Sequence, residues 1–195
     1  MAARAMHLVW PDPGYLPGYV DALERGWSPD NLRPQAGHEE LARIRSDAVK
    51  FLEDQVDRQG RGKIMLPDGR VADRLPSFHL WMWDGEFCGS IGFRWQPGTT
   101  DLPPYCLGHI GYAVVPWKSG RGYATEALRQ LLPYVRQEGL PFVELTTDSK
   151  NVASQKVIEK NGGELVERFF KPASHGGAES LRFRIHLDSK TPKNA

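Results

Sequence analysis

The stretch of this sequence best suited to chemistry is Val114-Val-Pro-Trp-Lys-Ser-Gly-Arg-Gly-Tyr-Ala124. A strand-like run enters a glycine-rich turn. A helical pattern leaves it, with Ala124, Ala127, Leu128, Leu131 and Val135 on one face. The first N–H groups of a helix lack partners within it, and the summed peptide dipoles put partial positive charge there. Gly120 and Gly122 remove Cβ atoms that would keep an anion off the backbone, and Arg121 and Lys118 add charge. The segment is therefore a candidate cradle for phosphate or pyrophosphate. The same glycines would also serve a plain tight turn, so the turn alone leaves both readings open.

Two nucleotide motifs can be compared with it. A P-loop requires Gly-Lys-Ser/Thr after a four-residue gap, and this turn lacks it. A dinucleotide turn would place Gly or Ala where Thr125 stands. Glu144, about twenty residues on, suits that motif's acidic partner. However, the turn lies deep in the chain, without repeated βαβ units. A nucleotide-phosphate binder remains the minor reading.

The elements that must position this turn follow from periodicity. His7 to Trp10 predicts a short strand. Tyr15 to Arg25 and Glu39 to Gln55 predict helices, with apolar residues at three- and four-residue steps. Pro29 to Gly37 and Gly60 to Arg74 read as loops, the second with Pro67-Asp68-Gly69 as a turn. Phe78 to Trp83 and Glu86 to Trp95 flank Asp84-Gly85, a hairpin signal. Cys106 to Val115, Phe142 to Thr147, Glu164 to Phe170 and Ser180 to Leu187 predict strands, and Gly120 to Glu138 and Asn151 to Lys160 predict helices. Pro133 should kink the first of these helices or end it early. The order predicts a single α/β domain of mixed α+β type. It would hold a central, mostly antiparallel mixed sheet of about seven strands flanked by about four helices. Residues 1–75 would carry the N-terminal strand, helices and loop, 76–188 the motif-bearing core, and 189–195 a frayed tail.

Composition narrows the function. A chain of 195 residues fits one domain. Lys plus Arg is 25 and Asp plus Glu is 24, so the net charge of +1 gives no argument for a strongly basic nucleic-acid binder. No apolar run is long enough to span a membrane. Cys88 and Cys106 are too few for a disulfide framework, and Met1 to Met6 lacks an apolar signal core, so a reducing cytoplasm is the expectation. His7, His38, His79, His109, His175 and His186 are scattered, which predicts no metal site.

Two motifs now carry a resemblance. Val114-x-Pro116-x-x-Ser119-Gly-Arg-Gly122-Tyr-Ala124, followed by Thr-Glu-Ala-Leu128, resembles the acetyl-CoA signature of the GNAT N-acetyltransferase superfamily. Asn151-Val-Ala-Ser154-Gln-Lys-Val-Ile-Glu159-Lys160-Asn-Gly162-Gly resembles its second half-motif, in the right order. Gly108-His-Ile-Gly-Tyr112 resembles a bacterial branch of predicted acetyltransferases. The similar region runs from about Pro76 to Leu187.

The resemblance implies an acetyl-CoA-dependent N-acetyltransferase, with acetyl-CoA as co-substrate and no metal. An amine would attack directly in a ternary complex, without a Cys acyl-enzyme. Backbone amides of Ser119, Gly120, Arg121, Gly122, Tyr123, Ala124 and Thr125 would hold the CoA pyrophosphate. The family's usual Arg or Gln is replaced by Ser119, for which Lys118 or Arg121 would compensate. The main chain of Val114 and Val115 would pair with the pantetheine arm, and an N–H near Val114 would stabilise the oxyanion. The family's Tyr acid is absent, because Ile158 occupies its place. Ser154 would instead protonate the thiolate, and Asn151 would position CoA or a water; alternatively, Asn151 is a helix cap and Ser154 bonds the helix backbone. His109, then Glu144, are candidate bases, with Tyr112 as a polar wall. Trp27, Trp81, Trp83, Trp95 and Trp117 would pack the core, or line an aromatic acceptor pocket. Arg58, Arg61, Lys63, Arg70 and Arg74 mark a solvated loop that would lie over the acceptor side. The partners implied are acetyl-CoA and an amine acceptor, not nucleic acid or membrane, on a monomer or homodimer. A non-catalytic acyl-CoA-binding module is the alternative.

Overall fold

A computed structural model describes residues 5–31, 33–66 and 69–187. The expected turn residues Pro67 and Asp68 and the tail 189–195 lie outside the described residues. The chain runs β1 (His7–Val9), α1 (Leu16–Glu24), α2 (Ala36–Ser46), α3 (Ala48–Asp54), β2 (Val56–Asp57), β3 (Lys63–Met65), β4 (Val71–Asp73), β5 (Ser77–Trp83), β6 (Phe87–Arg94), β7 (Ile110–Val114), α4 (Tyr123–Arg136), β8 (Phe142–Asp148), α5 (Val152–Glu159), β9 (Glu164–Phe170) and β10 (Glu179–His186). This is the mixed α/β architecture expected, with more and shorter strands.

The strands form two main antiparallel sheets rather than one continuous sheet. The first has the order β1-β5-β6-β7, with β2 also paired to β5, and the second has the order β8-β10-β9. Strand alternation puts Phe78, Leu80, Ile91 and Phe93 on one face, against Leu128, Leu131 and Val135 of α4 and Leu145 and Phe183 of the second sheet. The opposite face carries Trp81, Phe87 and Ala113 under Tyr19, Leu23 and Trp27 of the α1 segment and Phe51 of α3. Trp27, Trp81 and Trp95 are buried, in line with a packing role.

Three local expectations change. The helix expected over Glu39–Gln55 breaks in two at Asp47, which is extended (φ −158°, ψ 93°) and caps α3 by accepting the Lys50 N–H. Helix α4 runs through Pro133 to Arg136, so the proline does not end it there. Pro133 is exposed, so its ring faces solvent. The polar stretch Gly60–Arg74 contains the small β3–β4 hairpin.

The two main sheets meet at a seam. Among the described residues no ladder joins β7 to β8. The residue before β7 makes the junction: the His109 N–H donates to the Glu144 carbonyl at 2.7 Å, and the Glu144 N–H donates to His109 Nδ1 at 3.0 Å. Gly108 permits this approach, because a Cβ there would lie 3.1 Å from the Glu144 oxygen.

Candidate active site

The glycine turn is exposed and uncapped. Gly120 and Gly122 have φ of +78° and +79°, a conformation that favours glycine, and a Cβ at either would project into open space. Gly122 is the N-cap of α4, and no side chain caps the helix. The first turn of α4 therefore presents N–H groups outward with the helix dipole behind them. The Ser119 hydroxyl donates back to the Val115 carbonyl at 3.4 Å, so the position contributes backbone rather than a reaching side chain.

Lys118 does not add its charge to this cradle. It is buried, and its Nζ lies 2.6 Å from Asp84 Oδ1 and 3.1 Å from Glu86 Oε2. The Tyr123 hydroxyl donates to the other Asp84 oxygen at 2.6 Å. Asp84 thus clamps both flanks of the turn to the β5–β6 hairpin. Burial opposes its ionisation, but hydrogen bonds from Lys118 and Tyr123 outweigh this and hold the carboxyl at about 2. The sequence marked Asp84 only as a hairpin residue, because its partners are more than thirty positions away. Arg121 is exposed beside the turn.

The alternation along β7 decides what its backbone can bind. Val115 N–H donates to Cys88 O and Arg94 N–H to His109 O, both at 2.9 Å. Residues of this parity face β6. The N–H groups of Tyr112 and Val114 therefore point off the other edge, into the gap toward β8. Val114 keeps its N–H open to the gap. Val115 does not, because its N–H is taken by Cys88 and its carbonyl accepts the Lys118 N–H at 3.0 Å. Asn31, from the loop before α2, donates to the outward Tyr112 carbonyl at 3.1 Å.

Two expected side chains come together across the gap. The Tyr112 hydroxyl and Ser154 Oγ are 2.7 Å apart. Burial raises the Tyr112 pKa, with Ser154 partly opposing it, so the pair keeps its protons near neutrality. Asn151 is the N-cap of α5, its Oδ1 accepting the Ser154 N–H at 3.0 Å. The cap fixes where Ser154 points, and the Ser154 hydroxyl is left for Tyr112. Ile158 is buried in the core.

The two candidate bases are committed elsewhere. His109 spends its Nδ1 lone pair on the Glu144 N–H, and its buried Nε2 has no well-formed hydrogen bond among the described residues. Burial lowers its pKa, despite the opposing pull of Glu144. Glu144 holds two arginines, with Arg182 Nη1 at 2.9 Å and Arg184 Nη2 at 2.7 Å. The His109 ring and the Glu144 main chain make the seam, while the Glu144 carboxylate is held within the second sheet by two β10 arginines. Burial also pushes the Cys88 thiol up to about 12, which removes it as a nucleophile.

An open groove of about 260 Å³ lies between α1 and the β5–β6 hairpin, with Trp83 and Trp117 among its lining residues. Arg25 stacks over Trp117 at 3.6 Å. Among the described residues no group of three or more His, Cys, Asp or Glu could hold a metal ion, and no helix is long and apolar enough to cross a membrane.

Comparison with known proteins gives the same picture. The family described as Acetyltransferase (GNAT) domain matches residues 30–164. No curated protein matches the sequence. Among solved structures, the chain is similar to RimL, the ribosomal L7/L12 alpha-N-protein acetyltransferase, in complex with coenzyme A. That match has a TM-score of 0.63 at 14% identity, covering 96% of each chain. It is similar to the microcin C7 self-immunity acetyltransferase MccE in complex with acetyl-CoA and AMP, with a TM-score of 0.60 at 14% identity, covering 93% of this chain and 92% of that one. It is also similar to yncA from Salmonella typhimurium with its cofactor acetyl-CoA, with a TM-score of 0.54 at 15% identity, covering 98% and 99%. A glycine turn opening an uncapped helix, beside a strand with one free edge, is thus set in a shared fold, and the match over residues 30–164 places the chain in the GNAT acetyltransferase family.

Proposed function

We propose that the protein transfers the acetyl group of acetyl-CoA to a primary amine by direct attack, with both substrates bound at once. The observation that carries this reading is the placement along one strand. Val114 offers an N–H into the gap, the uncapped turn follows at one end, and the Tyr112–Ser154 pair stands two residues back. The turn residues from Ser119 to Thr125 suit a pyrophosphate. The outward edge of β7 suits an extended amide-bearing arm.

In the reaction, the amine nitrogen forms a bond to the thioester carbonyl carbon, and the carbonyl oxygen takes up charge. The Val114 N–H is a fixed donor for that charge. Collapse of the intermediate breaks the carbon–sulfur bond; Ser154, hydrogen-bonded to Tyr112, gives the leaving thiolate a proton, and the proton shed by the attacking nitrogen returns through water to restore the hydroxyl. With the His109 Nδ1 lone pair taken by the Glu144 N–H and the Glu144 carboxylate held by Arg182 and Arg184, neither is assigned as base. The reaction then suits an amine already partly neutral near pH 7. A peptide α-amine, with an ordinary pKa of about 7.7–8.0, meets that need, and lysine at about 10.4 does not.

Thiol release from acetyl-CoA across a panel of amines tests this. Acetyl-CoA should raise the melting temperature more than ATP or NAD does, and thiol release should rise with an acceptor amine. Stabilisation by acetyl-CoA without thiol release for any amine would leave an acyl-CoA-binding module. Stabilisation by NAD and none by CoA would overturn the reading.

A further inference from the structure

The face of the first sheet that α1 and α3 cover is built in cross-strand rows. Trp81, Ser90 and Ala113 form one row, packed under the helices. The next row is His79, Gly92 and Gly111, where two of three positions carry no side chain. The His79 ring lies over Gly92. The Arg94 guanidinium, from the row beyond, folds back over Gly111, close enough that a Cβ on Gly111 would lie 3.1 Å from Nη2.

Arg94 is partly buried, yet among the described residues no carboxylate pairs with it. That sets it apart from Arg182 and Arg184, which share Glu144. Arg74 adds positive charge near His79, its Nη2 donating to the Asp54 carbonyl at 3.0 Å with the Asp54 carboxylate also within its field. The Cδ2–Nε2 edge of the His79 ring is the one over Gly92, and its other edge turns toward the Gln55 backbone. Burial, then Arg94 and Arg74, hold the His79 ring neutral, with a pKa of about 4. A partly buried guanidinium without a carboxylate partner, on a glycine floor beside a neutral imidazole ring, is a site for an anionic oxygen group.

We propose that Arg94 is an acceptor-specificity residue: it binds an anionic group, carboxylate or phosphate, carried by the amine substrate. The inference rests on the acetyl-transfer reading above and names its substrate class. Gly111 and Val114 are three residues apart, or about 10 Å along the strand. At about 3.3–3.6 Å per extended residue, that separation fits an anion on the second or third residue of a peptide whose α-amine is acetylated.

The test compares C-terminally amidated peptides that differ only in Asp, phosphoserine or Asn at the second or third position. Thiol release from acetyl-CoA gives kcat/KM for each. At least a tenfold preference for the Asp or phosphoserine peptide over Asn is expected, and which anion is preferred separates the two sources. Arg94→Gln should bring the ratio close to one, and Arg94→Lys should keep part of it. Gly111→Ala, which shifts the guanidinium without removing its charge, should lower the ratio as well. A second arm needs no turnover: calorimetric binding of the N-acetylated Asp peptide should weaken at least tenfold in Arg94→Gln at unchanged melting temperature. Turnover with no anion preference, or a preference that survives Arg94→Gln, overturns the inference and leaves the acetyltransferase reading intact. Failure of turnover with every amine, with Arg94-dependent binding of the peptide retained, overturns the acetyltransferase reading and leaves the anion site. Loss of both overturns both.

Discussion

The two ends of β7 place similar-looking residues in opposite employment. At its C-terminal end the strand runs into a turn whose side chains are mostly turned away, and backbone N–H groups of Val114 and the α4 N-terminus face outward. At its N-terminal end the His109 ring is spent on the Glu144 main chain across the seam, and the Glu144 carboxylate on two arginines of its own sheet. A binding surface that relies on the main chain tolerates variation in side chains. A junction that relies on side chains consumes the chemistry those side chains would otherwise offer.

Substitutions can sharpen that contrast. The largest effect is expected at Asp84, which clamps the turn from outside. Asp84→Ala leaves the buried Lys118 ammonium with only the exposed Glu86, at a cost of about 3 kcal/mol in denaturant unfolding. The pH dependence has a definite sign. The folded carboxyl is held at about 2, below its ordinary 3.8, so its contribution is complete above about pH 4 and is lost as pH falls toward 2. An acid titration of stability should flatten over that window in Asp84→Asn.

Next comes the hydroxyl pair. Ser154→Ala should lower kcat by about 100-fold, within the range of a lost proton donor, with little change in KM for acetyl-CoA. Tyr112→Phe should show a smaller loss on the same assay, since it acts through Ser154. Equal kcat in wild type and Ser154→Ala would remove the pair from the chemistry. Smaller again is Gly122→Ala. A side chain at φ +79° should cost about 1 kcal/mol, and KM for acetyl-CoA should rise several-fold at nearly constant kcat. The smallest catalytic effect belongs to the other end of β7. Glu144→Gln should lower the melting temperature modestly while leaving the shape of the kcat pH profile unchanged. A pH limb that vanishes in Glu144→Gln would restore it as a base and break the contrast.

The same contrast explains what could be read in advance. The helix and strand order was legible because apolar residues recur at fixed steps in each element. The turn was legible because glycine at positive φ, a helix start and the preceding strand are neighbours in sequence. Asn151 and Ser154 were legible as a spacing, and their separate uses follow from the cap on one and Tyr112 on the other. Lys118, His109 and Glu144 were misread for one shared reason. Each sits at a suggestive position in the chain, but its charge or lone pair is claimed by a residue at least thirty positions away. Asp84 and Arg94 were missed because ion pairing, and its absence, belong to the folded sheet rather than to any local spacing. The junction between the two sheets depends on Gly108 and His109, whose role appears only once Glu144 lies beside them.

The free edge of β7 also sets a clock. Alternate amides along one short strand meet different fates: Ala113 and Val115 are locked to β6, while Tyr112 and Val114 face the gap. Deuterium uptake measured residue by residue should therefore alternate between slow and fast along the strand in the free protein. Filling the gap with acetyl-CoA should slow the fast positions alone, turning a period of two into uniform protection.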